Sequence, residues 1–152
     1  MNPRQFDGID DLAKAVGTHL GYSPWRVVSQ DRINKFADAT DDHQWIHTDE
    51  DRAKTGPFGT TIAHGFLTVA LTTPMVAEIF EVNNLAMELN YGLEKLRFPS
   101  VVPVGGRVRA GAELVALERK EDHARIITRV VVEVEGQDKP ACVAEFVALL
   151  FP

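Results

Sequence analysis

The spacing of hydrophobic residues changes along the chain, from a helical period in the first half to a strand-like alternation in the second. Near the N-terminus, helical spacing predicts one helix that stops at Gly21, with apolar positions at Ile9, Leu12, Ala13, Val16 and Leu20. The β-branched stretch WRVVSQ follows and predicts a first strand. The chain is therefore expected to open with one helix and one strand.

Two shorter helices are predicted next, on either side of a polar loop. Ser29 is a favourable cap for a helix over QDRINKFADAT. The stretch DDHQWIH is then expected to be irregular. A short helix over TDEDRAKTG follows, with Thr48 or Asp49 as its cap and Gly56 as its terminator.

The longest helical pattern runs from Ile62 to Phe80 and is apolar on almost every side. One face carries Ile62, Phe66, Val69, Ala70, Thr73, Val76, Ala77 and Phe80, and the opposite side carries Leu67, Leu71 and Met75. Such a helix is normally surrounded by protein. Polar residues such as His64 and Glu78 make the run unlike a membrane span. We expect a buried central helix, bent near Pro74.

Four long, Val-rich segments with turn signals between them fill the rest of the chain. In the second of them, polar or small residues alternate with Val108, Ala110, Ala112, Leu114 and Ala116, which predicts a strand with one covered face. ERKEDHA and EGQDKP are typical of hairpin connections. The pattern predicts an α+β fold, a long antiparallel sheet wrapped around the central helix, in a single domain over residues 1–152. The exposed edges of such a sheet favour a homodimer.

Composition and charge limit the kinds of binding partner and the cellular location expected for this protein. A net charge of −6 argues against nucleic-acid binding, which needs a basic face. The single cysteine, Cys142, cannot form an internal disulfide and lies in a strand-like stretch, so we expect a core residue in a reducing compartment. The N-terminal stretch MNPRQFDGIDDLAK does not resemble a secretory signal. A cytoplasmic protein without membrane insertion is predicted.

Acids, histidines and a tryptophan are concentrated in one segment, FADATDDHQWIHTDEDRAKTGPFGTTIAHGF. A solvated loop has no need of the tryptophan and the histidines, and a core element does not tolerate the acids. The mixture indicates a segment that holds polar groups at the edge of an apolar cavity.

The order of motifs from about Ser29 to Arg109 resembles the MaoC-like, R-specific enoyl-CoA hydratase family. That family has an Asp followed five residues later by a His, and then a hydrophobic-x-His-Gly sequence at the start of the central helix. Here these positions are Asp42, His47 and the stretch IAHG that ends at Gly65. The resemblance implies the hot-dog fold and Asp/His acid-base chemistry.

Two positions depart from the family pattern. Asp41 stands where the family usually has Gly, which serves where φ is positive, and Asp is one of the better substitutes there. Gln44–Trp45 replaces Asn–Pro, so the positioning contact of the usual Asn is in question.

The resemblance implies hydration of a trans-2-enoyl thioester, carried by CoA or by an acyl-carrier protein, without a cofactor. Asp42 is expected to activate a water, and His47 to bind the same water and pass a proton to Cα. Which of the two moves which proton stays open, because the pair can titrate as a unit. Gly65, in the first turn of the central helix, is expected to donate its main-chain N–H to the thioester oxygen.

The neighbouring residues are given structural roles. His64 is expected to orient the loop by hydrogen bonding, while Trp45 and Phe58 form pocket wall or core. His43 and His47 have a spacing that can bind zinc on a helix, but no third ligand has a diagnostic spacing, so no metal is predicted. Candidates for contact with CoA phosphates, none of them assigned, are Lys95, Arg97, Arg107 and Arg109.

Two other functions remain open. A hot-dog thioesterase typically has a carboxylate on its central helix, where this chain offers only Glu78 near the far end. A noncatalytic acyl-thioester-binding protein is the other alternative, if the Gln44–Trp45 departure has weakened the site.

Overall fold

The computed structural model describes residues 2–152. Its helices are α1 (Gly8–Ala13), α2 (Gln30–Thr40), α3 (Trp45–Thr48), α4 (Glu50–Ala53) and α5 (Gly65–Ala77). Its strands are β1 (Arg4–Phe6), β2 (Thr18–Tyr22), β3 (Arg26–Val27), β4 (Phe80–Val82), β5 (Met87–Arg97), β6 (Arg107–Arg119), β7 (Ala124–Val134) and β8 (Cys142–Phe151).

A six-stranded antiparallel sheet wraps around α5. The strand order is β2-β6-β7-β8-β5, and β3 also pairs with β6. The short strands β1 and β4 pair in parallel outside this sheet. Leu71 and Met75 of α5 belong to the same buried cluster as Val130 and Leu150 of the sheet. This is the hot-dog arrangement that the resemblance implied.

The strand predictions in the second half are confirmed. All four long segments form strands, and in β6 the residues Val108, Ala110, Ala112 and Leu114 are buried. The alternation ends at a bulge between Leu114 and Ala116, so Ala116 is only half-buried. Cys142 is fully buried in β8, and burial raises the pKa of its thiol to about 11. That environment fits a core residue.

The prediction for the N-terminus is wrong in its second half. Helix α1 ends at Ala13, and Leu20 and Gly21 lie in β2. The chain leaves the helix because β6 offers it a partner: the Gly17 amide donates to the Leu114 oxygen at 2.7 Å. Pairing with a distant strand outweighs the local helical period. WRVVSQ contributes only the two residues of β3, which is the third strand and not the first.

The short helices follow the cap residues more closely. The Ser29 hydroxyl accepts from the Arg32 amide, as predicted for the start of α2. The Asp49 carboxylate accepts from the Arg52 amide and caps α4. The irregular stretch after α2 is interrupted by one helical turn, α3, and α4 ends before Gly56.

The central helix is shorter and less enclosed than predicted. Leu67, Leu71 and Met75 are buried against the sheet, whereas Phe66 is 68% exposed and Thr73 is exposed on the other side. In the single chain, therefore, α5 has one open face. Within residues 2–152 we find no helix that combines the length and the apolar character needed to cross a membrane.

Candidate functional site

The end of α2 sets the direction of the chain at Asp42. Asp41 caps the helix in the left-handed conformation, with φ 58° and ψ 22°. This is the backbone that a glycine adopts easily, and Asp tolerates it better than most residues. Asp41 thus takes the place of the family's glycine, and Asp42 follows it with an exposed side chain.

The short helix α3 holds His47. It begins after Gln44, whose amide donates to the Oδ1 atom of Asp42 at 3.3 Å. The His47 ring is buried, and its Nδ1 lies 2.7 Å from the main-chain oxygen of Ile62. A carbonyl can only accept, so Nδ1 carries the proton and Nε2 is left with a lone pair.

The surroundings of His47 favour the neutral ring. Burial lowers the pKa of His47, with a smaller lowering from His64, while the hydrogen bond to Ile62 and the Asp42 carboxylate act in the opposite direction. A neutral imidazole can accept a proton from water and then release it.

His64 connects the two residues. It caps α5 at its N-terminus and is buried, and its Nε2 donates to the main-chain oxygen of Asp42 at 3.0 Å. Its ring stacks on the His47 ring, with centroids 3.8 Å apart, and contacts Phe36 at 4.9 Å. The hydrogen bond to Asp42 agrees with the orienting role predicted for His64. Its Nδ1 has no hydrogen-bond partner within residues 2–152.

These three side chains surround a small common volume. One nitrogen or oxygen atom from each of Asp42, His47 and His64 lies within 4.8 Å of the others. This is a different set from the His43–His47 pair considered in the sequence, since His43 lies 3.6 Å from Asp38 instead. The ring planes of His47 and His64 differ by only 23°.

Gly65 is the first residue of α5, so its amide has no partner inside the helix. A Cβ atom at this position would lie 3.0 Å from the ring of Phe98. A side chain at this position would therefore crowd the Phe98 ring, and the Gly65 amide lies at the positive end of the helix dipole.

Trp45, in α3, contacts Arg52 of α4. Its ring lies 4.3 Å from the guanidinium of Arg52, and a Cβ atom at Gly56 would come within 3.0 Å of it. Trp45 therefore acts as packing between the two short helices. Phe58, in the following loop, is 46% exposed and is not part of the core of this chain.

A cavity lies further along α5. Its volume is about 420 Å³, and it is enclosed by the C-terminal half of α5, by β4 and by three strands of the sheet. Apolar walls such as Val76, Phe80 and Phe146 are interrupted by Thr72 and Asn90. Asp42, His47 and Gly65 are not among its lining residues. The sequence offered one signal for this cavity, the threonines on an otherwise apolar helix.

The basic residues considered for phosphate contacts are largely engaged elsewhere. Arg107 pairs with Glu135 and Arg109 with Glu133, each at 2.8 Å. Arg97 donates to the neighbouring Leu96 oxygen. The two paired arginines form surface ion pairs on the sheet.

Comparisons with known proteins identify the family and the fold. The family model described as MaoC like domain matches residues 11–136. The chain is 50% identical, over 143 residues, to 3-hydroxyacyl-thioester dehydratase Z of Mycobacterium tuberculosis; the match covers 93% of this chain and 95% of the relative.

Two solved structures share the fold. A MaoC-like dehydratase from Rhodospirillum rubrum has a TM-score of 0.74 at 23% identity, covering 95% of this chain and 96% of that one. An (R)-hydratase from A. caviae involved in PHA biosynthesis has a TM-score of 0.68 at 24% identity, covering 87% and 96%.

Proposed function

The chain belongs to the MaoC-like domain family, and we propose that it is an R-specific enoyl-CoA hydratase, which in the reverse direction is a (3R)-hydroxyacyl-CoA dehydratase. The observation that carries this proposal is that the Asp42 carboxylate and the His47 imidazole lie close together. The Nδ1 atom of that imidazole already donates to the Ile62 oxygen, so Nε2 is the nitrogen left for the reaction. The 50% identity to a 3-hydroxyacyl-thioester dehydratase supports the same reaction class.

In the proposed reaction, Asp42 and His47 hold one water between them. Asp42 orients and activates the water, and the water oxygen attacks Cβ of the enoyl thioester. His47 binds the same water through Nε2, and a proton passes by way of this nitrogen to Cα. The balance is one water added across the double bond, so no cofactor is consumed.

Negative charge develops on the thioester oxygen during the attack. The free amide of Gly65, at the start of α5, is the donor that we assign to it. One such donor contributes about 3 kcal/mol of transition-state stabilisation in well-studied enzymes. The absence of a side chain lets the thioester approach this amide closely.

We assign the acyl chain to the cavity beside α5. Thr72 follows Gly65 by about two helical turns, roughly 10 Å along the axis, and it lines the cavity. A thioester held at Gly65 thus has space for its acyl chain along the same helix. The volume of about 420 Å³ is within the range of small-molecule sites. The thioester carrier is CoA or an acyl-carrier protein, and the setting is fatty-acid metabolism.

The proposed functional unit is a homodimer of single domains, each spanning residues 1–152. Strand β5 is an edge of the sheet and carries apolar side chains that are 40% to 66% exposed, namely Met87, Leu89, Tyr91 and Leu93. A long apolar edge is a natural site for pairing with a second copy. A reducing, cytoplasmic location is proposed from the single cysteine.

Incubation with crotonyl-CoA tests the proposed activity. We expect the enoyl absorbance to disappear without release of free thiol, and the 3-hydroxybutyryl product to be the R enantiomer. Release of thiol instead identifies a thioesterase. Binding without either change, across short and medium chain lengths, identifies the noncatalytic alternative.

A further inference from the structure

A glutamine outside the motif joins the two chain segments that hold His47. Gln30 is the first residue of α2 and is half-buried. Its Nε2 donates to the main-chain oxygen of His47 at 2.7 Å. Its Oε1 accepts from the hydroxyl of Thr61. One side-chain amide therefore spans the gap between α3 and the segment that precedes α5.

The Thr61 contact lies next to the carbonyl that orients the His47 ring. Thr61 is 1% exposed and precedes Ile62, whose oxygen accepts from His47 Nδ1 at 2.7 Å. The Ile62 amide also donates to the Ile46 oxygen at 3.0 Å. Gln30, Thr61, Ile62 and His47 thus form a closed ring of contacts.

The Thr61 segment is itself fixed to the body of the protein. The Ala63 amide donates to the Val102 oxygen at 2.8 Å, and the Val104 amide donates to the Thr61 oxygen at 3.0 Å. Gln30 therefore ties His47 to a segment that is anchored on its other side. Together with the Ile62–Ile46 hydrogen bond, the two Gln30 contacts join the His47 main chain to the segment that carries the Ile62 oxygen.

We propose that Gln30, acting through Thr61, is a positioning residue that keeps the His47 ring in the Nδ1–H tautomer and leaves Nε2 for the reacting proton. The inference rests on the role proposed above for His47. A glutamine suits the position because it donates and accepts at once. A glutamate accepts from Thr61 but cannot donate to His47, and an aliphatic side chain does neither.

The expected effect is on turnover rather than on substrate affinity. Loss of one neutral hydrogen bond in such a ring corresponds to a fall of about tenfold in kcat. KM is expected to stay within about twofold, because Gln30 lies behind His47 and not against the substrate. A small displacement of a reacting group lowers the rate without changing the binding surface.

The test compares four variants by crotonyl-CoA kinetics and by NMR of the His47 ring nitrogens. Gln30→Glu and Thr61→Val each break the ring of contacts, and Thr61→Ser restores the hydroxyl. Asn34→Ala is the matched control, because it removes the other acceptor of Gln30 Nε2, 2.9 Å away, without touching His47.

We expect Gln30→Glu and Thr61→Val to lower kcat about tenfold and to shift the Nδ1 and Nε2 signals away from the Nδ1–H tautomer, while Thr61→Ser and Asn34→Ala match the wild type. The proposal is overturned if both disruptive variants keep the wild-type tautomer, whatever their melting temperatures. Because Gln30 is half-buried, Gln30→Glu decides the matter if Thr61→Val does not fold. A wild-type protein without turnover refutes the proposed reaction, whereas the NMR signals still test the positioning.

Discussion

The imidazole of His47 lies against the imidazole of His64, with ring centroids 3.8 Å apart and planes that differ by 23°. His64 also donates a hydrogen bond to the main-chain oxygen of Asp42. His64 therefore contacts both members of the proposed acid-base pair: the face of its ring stacks on His47, and the Nε2 atom at the edge of the ring donates to Asp42. The separation of Asp42 and His47 depends on this arrangement.

The first prediction concerns the hydrogen bond from His64. His64→Gln can still donate to the Asp42 oxygen, whereas His64→Leu cannot. We expect the leucine variant to lose about tenfold more activity than the glutamine variant. Steady-state kinetics with crotonyl-CoA, together with circular dichroism to verify the fold, measure the difference. Equal activity in the two variants would show that this hydrogen bond does not position Asp42.

The second prediction concerns the reacting groups themselves. Asp42→Asn and His47→Asn are each expected to lower kcat by about 10² to 10⁴, the range for loss of general acid-base catalysis. The fold should survive Asp42→Asn, because asparagine keeps the oxygen that accepts from the Gln44 amide.

Asp41→Asn and His43→Asn are the matched controls, since each changes an exposed neighbour of the same type. Both are expected to retain wild-type turnover. Unchanged turnover in Asp42→Asn or His47→Asn refutes the role assigned to that residue.

The third prediction is a dependence of stability on pH. Burial lowers the pKa of His47 in the folded state, so the unfolded state binds more protons in the window just below the ordinary histidine value of about 6.5. The His47 contribution to the free energy of unfolding is therefore present above that value and is lost as the pH falls.

Urea denaturation at pH 7.5 and at pH 5.5 measures this effect. We expect the loss of stability between the two values to be smaller in His47→Asn than in the wild type. An equal loss in wild type and His47→Asn contradicts the assignment.

The fourth prediction concerns the left-handed residue after α2. Asp41→Val places a β-branched side chain at φ 58° and is expected to lower the free energy of unfolding by about 1–2 kcal/mol. Asp41→Gly relieves that strain but gives the unfolded chain more freedom, so its change should stay within about 0.5 kcal/mol. Denaturant titration distinguishes the two. A valine variant as stable as the wild type contradicts the reasoning.

The fifth prediction tests the proposed dimer at β5. The double variant Leu89→Lys/Tyr91→Lys is expected to shift the molar mass toward that of one chain, because charges on an edge strand oppose pairing. Val27→Lys is the control, since Val27 is 52% exposed on β3, away from the β5 edge of the sheet. Light scattering on a sizing column gives the mass. A monomeric wild type contradicts the dimer.

The sequence predicted correctly those elements that are specified by residues close together in the chain. The cap at Ser29, the cap at Asp49 (one of the two residues proposed) and the alternation in β6 as far as Leu114 were correct, because each depends on residues a few positions apart. The end of α1 was wrong because β2 forms against β6, and no local pattern between residues 14 and 22 encodes that partner.

The candidate residues were proposed from the motif resemblance, with an orienting hydrogen bond expected from His64, but the partner residues of the supporting contacts were not predicted. Gln30 and Thr61 are separated by 31 positions, and His64 meets Asp42 across 22. Contacts over such intervals depend on how the helices cross, which spacing alone does not specify. The open face of α5 was missed for a related reason: an apolar pattern shows that a side is to be covered, but not by which molecule.

The ring of Phe98 beside Gly65 also limits the directions from which a ligand can reach that amide. Because the ring lies 3.0 Å from where a Cβ atom of residue 65 would be, and meets Phe66 edge-on with centroids 6.2 Å apart, a flat, narrow group fits alongside more readily than a branched one. This crowding would select ligands that are narrow next to the carbonyl bound at Gly65, whatever the length of the rest of the ligand.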